Sequence, residues 1–199
     1  MNGAAKWIAR WRVRLGYPLA VVVLLFARPN WKSVAIGAAI GALGLWLRAY
    51  AAGYLKKQEV LTTTGPYAFT RNPLYLGSAV LAAGAAWAMH SWISGGILAV
   101  YFAAVYYVVM RREEGELRGH FGEAFEMYAR AVPLFFPRIT GAKIAGSSPG
   151  QFSLAQYKKN HEYQAAIGFF LLLVVLLAMW RFNLVGLVLS TFHEAINSE

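Results

Sequence analysis

The residues with the means to do chemistry fall in two polar blocks. The first runs from Gly65 to Gly77, GPYAFTRNPLYLG, and leads directly into an apolar stretch. Gly65-Pro66 and Asn72-Pro73 are turn signals on either side of Tyr67 and Arg71, so a constrained backbone presents one arginine and two tyrosines, Tyr67 and Tyr75. The second block runs from Arg111 to Arg138 and opens with the adjacent glutamates Glu113 and Glu114. Side chains of adjacent helical residues point about 100° apart. One of the two therefore turns inward to meet a cation, either Arg71 or a positive group of a cofactor, while the other faces elsewhere. The competing reading makes them a solvated face, with Glu114 paired to Arg118 one turn on.

Other polar residues are isolated. Arg48 sits late in an apolar stretch, where it either snorkels to the headgroups or faces protein. Lys56, Lys57, Gln58 and Glu59 follow and could line the same pocket. Asn160, His161 and Glu162 precede the last apolar stretch, and His161 is a candidate base or part of a polar helix start. No two histidines have metal-ligand spacing, so no metal site is expected. The chain has no cysteine and no aspartate, which excludes thiol nucleophiles, disulfides and any mechanism that needs Asp. It has no glycine-rich dinucleotide or P-loop motif and no nucleophile elbow.

Membrane-spanning elements must position these residues. With 58% hydrophobic residues and a mean hydropathy of +0.44, the 199-residue chain reads as one all-α integral membrane domain. Five transmembrane helices are expected, at about 13–27, 33–54, 73–90, 92–110 and 164–190. Residues 55–72 and 111–163 would form a polar region outside the bilayer, including an amphipathic helix and a Gly/Ser-rich loop (141–152). Leu117, Phe121, Phe125 and Tyr128 form the apolar stripe of that helix, which Gly115, Gly119 and Gly122 weaken and Pro133 ends. Gly37 and Gly41 suit close helix packing. The basic N-terminal segment, with Lys6, Arg10, Arg12, Arg14, Trp7 and Trp11, reads as an interfacial lead into a retained first span.

The net charge of +10 invites a nucleic-acid reading, but the basic residues are spread among loops between spans. With the N-terminus inside, 16 of the 19 Lys and Arg lie in inner segments, and only Arg28, Lys32 and Arg181 lie outside. The expectation is a multi-pass cell-membrane protein with a cytoplasmic N-terminus, an external C-terminus and both polar blocks on the cytoplasmic side.

The two blocks together resemble the isoprenylcysteine carboxyl methyltransferase and phospholipid methyltransferase family. GPYAFTRNPLYLG is similar to its G-x-Y-x-x-x-R-H-P-x-Y-x-G block, and RREEGEL…HFGEAFEMYARAVPLFFP to its second block. The likeness covers about residues 55–138. It implies transfer of a methyl group from S-adenosylmethionine to a lipophilic acceptor at the membrane face. It places Arg71 and Glu114 at the reaction centre, with Gly65, Tyr67, Asn72, Pro73, Tyr75 and Glu113 at the cofactor. The family's His is Asn72 here, which is neutral and is no general base. An amine, a thiol or a lipid headgroup thus stands beside a prenylcysteine carboxylate as acceptor. Two alternatives remain: an NADPH-dependent reductase of the sterol-reductase type, and a non-enzymatic scaffold or transporter. The adjacent glutamates oppose the first, because NADPH phosphates favour basic partners. The lack of polar residues inside the later spans opposes the second.

Overall fold

The computed structural model describes residues 16–56, 60–144 and 150–183, and among them there is helix and turn but no strand. Helix α1 covers Gly16–Leu25, α2 Trp31–Tyr54, α3 Pro73–Met89, α4 Trp92–Phe121, α5 Glu123–Ala131, α6 Leu154–Lys159 and α7 Tyr163–Arg181. A one-turn 3-10 helix at Gly65–Ala68 precedes α3. Helices α2, α4 and α7 are long and apolar enough to cross a membrane. Helices α1 and α3 are apolar but shorter, and the 17 residues of α3 rise only about 26 Å against a hydrocarbon core of about 30 Å. The basic N-terminal segment, Lys57 to Glu59, and any extension of the last span toward Ser190 lie outside the described residues.

Local chemistry explains the element boundaries. Asn30 caps α2 through a reciprocal pair, its Oδ1 accepting from the Ser33 amide at 2.9 Å while Ser33 Oγ accepts from the Asn30 amide at 3.0 Å. Pro73 occupies the first turn of α3, where its missing N–H costs nothing. The turn into α4 falls at His90 and Ser91, with Ser91 capping the new helix. Helix α4 has 30 residues, about 45 Å, longer than a hydrocarbon core of about 30 Å, and Glu113 and Glu114 lie in its C-terminal third. It breaks at Gly122, where φ is +53° and ψ −124°, a conformation that suits only glycine.

The helices pack in two regions. Helices α2 and α3 run with their backbones nearly touching: a Cβ on Gly37 would lie 2.5 Å from the Gly84 carbonyl, and one on Gly44 2.6 Å from the Leu81 amide. Gly41 makes room for the Phe169 ring of α7. Val23, Val34, Ala88, Met89 and Leu176 form the core at one end of the bundle. At the other end Phe125, Tyr128 and Val132 form a second core against Leu61, Leu117 and Phe121, the stripe expected for the amphipathic helix.

Candidate functional site

The two polar blocks are one structure. Arg71 binds the second block through backbone and side chain. Its amide donates to the Pro133 carbonyl at 2.9 Å, and Nη1 donates to the carbonyls of Ala129 and Val132, each at 2.6 Å. Those carbonyls lie at the C-terminus of α5, where the helix leaves acceptors without partners and carries partial negative charge. Thr70 Oγ1 donates to the Phe135 carbonyl at 2.9 Å, and Asn72 Nδ2 to that of Leu134 at 3.0 Å. Tyr128 OH donates to the Tyr67 carbonyl at 2.8 Å.

The two glutamates divide as the 100° rule requires. Glu114 is buried and turns inward: Arg71 donates to its Oε1 from Nε at 2.6 Å and from Nη2 at 2.5 Å, and Arg111 donates to its Oε2 at 2.9 Å. Arg118 instead pairs with Glu126, so the reading of a Glu114–Arg118 pair gives way to a buried ion pair. Four of the five N–H groups of Arg71 are therefore engaged within the protein. Glu113 faces the other way, into a cavity, and Tyr75 OH donates to its Oε1 at 2.6 Å.

That cavity has a volume of about 670 Å³ and is the polar chamber of the fold. Tyr67, Arg71, Asn72, Pro73 and Tyr75 line it from the first block, Glu113 and Leu117 from α4, and Arg48 and Glu162 from α2 and the α6–α7 turn. Glu114 is not on its wall, and neither is Gly65. Gly65 instead holds the turn at φ +59° against the Tyr54 ring, a backbone role.

The Tyr67 hydroxyl is buried in this region with no hydrogen-bond partner. Burial pushes its pKa well above the ordinary value of 10.0, and the nearby Tyr128, Glu162 and Glu113 push it the same way. It is thus a neutral phenol with a proton to donate, not a base.

Arg48 does not snorkel. It makes an ion pair with Glu162 at 2.6 Å, donates to Ser78 Oγ, and closes α2 against the α6–α7 turn. Asn160 fixes that turn, its Nδ2 donating to the carbonyls of Ala52 at 2.9 Å and Leu55 at 3.0 Å at the end of α2. His161 is exposed beside Tyr163 and off the cavity wall, so Glu162 is the polar group that this turn delivers. An arginine and a glutamate 114 residues apart carry no pairing signal in a single sequence.

A second cavity of about 510 Å³ continues from the first. It is walled by apolar side chains of α1, α3, α4 and α7, among them Leu19, Leu81, Phe102 and Phe169. Gly16, Arg48, Tyr101 and Tyr106 belong to both cavities and mark where they meet. A polar chamber opening into an apolar groove suits two ligands of different character. Among the described residues no cluster of His or Glu could hold a metal.

The model of the phospholipid methyltransferase family matches residues 18–124, more than half of the chain, including Arg48, Arg71, Tyr101, Tyr106 and Glu113. The chain belongs to the phospholipid methyltransferase family. Among curated proteins it is similar to the nickel-cobalt-cadmium resistance protein NccN of Alcaligenes xylosoxydans xylosoxydans, with 35% identity over 67% of this chain and 65% of that one. It is also similar to the cobalt-zinc-cadmium resistance protein CzcN of Cupriavidus metallidurans, with 31% identity over 77% of this chain and 73% of that one. A shorter match, 29% over 42% of this chain and 35% of the relative, links it to protein-S-isoprenylcysteine O-methyltransferase of Schizosaccharomyces pombe. No solved structure matches. Membership in this family and the apolar helices make the chain a membrane protein of the methyltransferase type.

Proposed function

We propose that the chain transfers a methyl group from S-adenosylmethionine to a lipophilic acceptor at the cytoplasmic face of the membrane. The observation that carries this reading is the polar chamber, with Glu113 on its wall, opening into an apolar groove at Arg48, Tyr101 and Tyr106. The chamber is within the size range of pockets for ligands of cofactor size, and the orphaned Tyr67 hydroxyl is a donor awaiting an acceptor.

The cofactor supplies a sulfonium-activated methyl carbon, to which an acceptor lone pair bonds as the C–S bond breaks and its electron pair stays on sulfur. Glu113, oriented by Tyr75, holds the ammonium group through a charge-assisted hydrogen bond. Tyr67 would donate to a polar atom of the cofactor, and the Tyr75–Tyr106 pair, packed edge to face with centroids 5.3 Å apart, would supply aromatic surface toward its positive charge. Arg71 and Glu114 are positioning residues: they lock the α5 end onto the start of α3 and so fix the chamber wall. The groove holds the acceptor chain and excludes water, which leaves alignment as the main contribution to rate. On this reading α1 and α3 complete five crossings, and the excess of Lys and Arg at the chamber end supports a cytoplasmic position for it.

Calorimetry on detergent-purified protein tests the reading. S-adenosylhomocysteine should bind at micromolar concentration and NADPH should not. Glu113→Gln should weaken the former by roughly 10- to 100-fold, the loss of one charge-assisted bond. Binding of NADPH alone would overturn the proposal, and unchanged affinity in Glu113→Gln would remove Glu113 from the site.

A further inference from the structure

One charge stands on the described wall of the apolar groove. Among the described residues on its wall, Arg48 is the only charged side chain, and it stands at the mouth where the groove meets the polar chamber. Its partner Glu162 lines the chamber but not the groove, whereas Ser78, which accepts from Nη1, lines the groove. The contacts of Arg48 are uneven in the same sense. Nη2 holds Glu162 and Nη1 holds Ser78 and the Leu74 carbonyl, while Nε is buried with no hydrogen-bond partner. A buried guanidinium N–H without a partner is costly, and a ligand oxygen would relieve it.

The packing around Arg48 is shaped to keep it there. A Cβ on Gly77 would lie 2.7 Å from Arg48 Cγ, so α3 carries a glycine where the arginine stem passes. A charge that served only to join α2 to the α6–α7 turn would not need to be on the groove wall or to leave Nε buried without a partner.

We propose that Arg48 is the acceptor-recognition residue, binding an anionic oxygen, of a carboxylate or a phosphate, on an amphiphile whose chain fills the groove. This rests on the methyltransferase reading for its biological meaning but not for its geometry. An oxygen at Nε would hold the acceptor head at the junction, next to the chamber where the methyl carbon must lie. Arg48 then discriminates anionic from neutral amphiphiles, while the groove walls contribute affinity without regard to the head.

The test uses the full chain in neutral maltoside detergent, titrated with dodecanoate, dodecyl phosphate and dodecanol. Wild type should bind at least one anion about tenfold or more tightly than the alcohol, the discrimination expected of one charge-assisted hydrogen bond. Whichever anion binds better identifies the source as carboxylate or phosphate. Arg48→Met should bring the ratio to within about twofold. Because that variant leaves Glu162 buried without its cation, Arg48→Met/Glu162→Gln removes both charges, and monodisperse elution with helical circular dichroism certifies its fold. It should lose the preference as well, while Glu162→Gln alone should retain it. Equal binding of anions and alcohol by wild type, or a preference that survives in the folded double variant, overturns the assignment. S-adenosylhomocysteine is titrated into the same wild-type sample. Its failure to bind, with the anion preference intact, would sink the methyltransferase reading and leave the Arg48 site standing.

Discussion

Arg71→Ala should destabilise the protein before it affects any chemistry. The substitution removes both contacts to Glu114, whose side chain is only 4% exposed, and both caps on the α5 carbonyls. Breaking a buried pair from one side typically costs about 3–5 kcal/mol, because the remaining charge has lost its partner. Here Glu114 keeps Arg111 at 2.9 Å, which lowers the cost, while the stranded carbonyls of Ala129 and Val132 raise it. A net loss of about 3 kcal/mol follows, or roughly 6–12 °C in Tm for a chain of this size. Arg71→Lys should rescue only part of it, because a compact ammonium does not span a carboxylate and two carbonyls as a planar fork does. The assay is thermal unfolding followed by tryptophan fluorescence in maltoside, with Glu114→Gln and the double variant closing a cycle. A coupling of roughly 1.5 kcal/mol or more is expected between the two side chains. If Arg71→Ala melts with wild type yet no longer binds S-adenosylhomocysteine, the structural role is refuted and Arg71 acts on the ligand directly.

Tyr67→Phe removes a hydroxyl that has no partner in the protein, so it should leave neutral-pH stability unchanged or slightly raised while weakening cofactor binding several-fold in calorimetry. The same variant carries a pH signature. The folded-state pKa of Tyr67 lies above the unfolded value of about 10, so its neutral form contributes stability that is present below pH 10 and lost as pH rises beyond it. Alkaline unfolding of Tyr67→Phe should therefore be shallower than that of wild type above about pH 10. Gly37→Ala should abolish monodisperse folding, since its new Cβ would meet the Gly84 carbonyl at 2.5 Å, whereas Gly115→Ala, with nothing within 4 Å, should gain up to about 1 kcal/mol in thermal unfolding. Asn72→Asp should lose several degrees of Tm, because it replaces the N–H that reaches the Leu134 carbonyl with a second acceptor, and Asn72→His should be tolerated.

The sequence was most informative where a residue's chemistry determines its own surroundings. Pro73 starts α3, Ser91 starts α4, and the stripe Leu117, Phe121, Phe125 and Tyr128 packs into one core. These follow from missing donors, capping oxygens and a 3.6-residue period, all local in the chain. Arg48–Glu162 was not legible, because that pair depends on where the α6–α7 turn lands on α2, and Asn160 fixes that through two backbone carbonyls. Helix α3 ends at Met89, one residue before the expected bound of 90, and the expected start of the first span lies outside the described residues. Apolar composition marks a crossing helix, but its ends are set by turns such as the left-handed one at His90.

The two glutamates show both the reach of such reading and its limit. Adjacency on a helix requires that only one meet Arg71, and that holds; which one does is decided by the rotation of α4 about its axis, which no residue near Glu113 specifies. The structure turns Glu114 inward and leaves Glu113 on the chamber wall with Tyr75. The asparagine at position 72 is explained by a contact between the two polar blocks. Its side-chain N–H bonds the Leu134 carbonyl, so the position requires a donor to join the two polar blocks, and a neutral imidazole or an amide meets that requirement equally. On the proposed reading, Asn72 in place of the family's histidine removes no step from transfer to an acceptor that carries its own lone pair. What the substitution gives up is a titratable group on the chamber wall, whose carboxylates Glu113 and Glu162 are engaged by Tyr75 and Arg48.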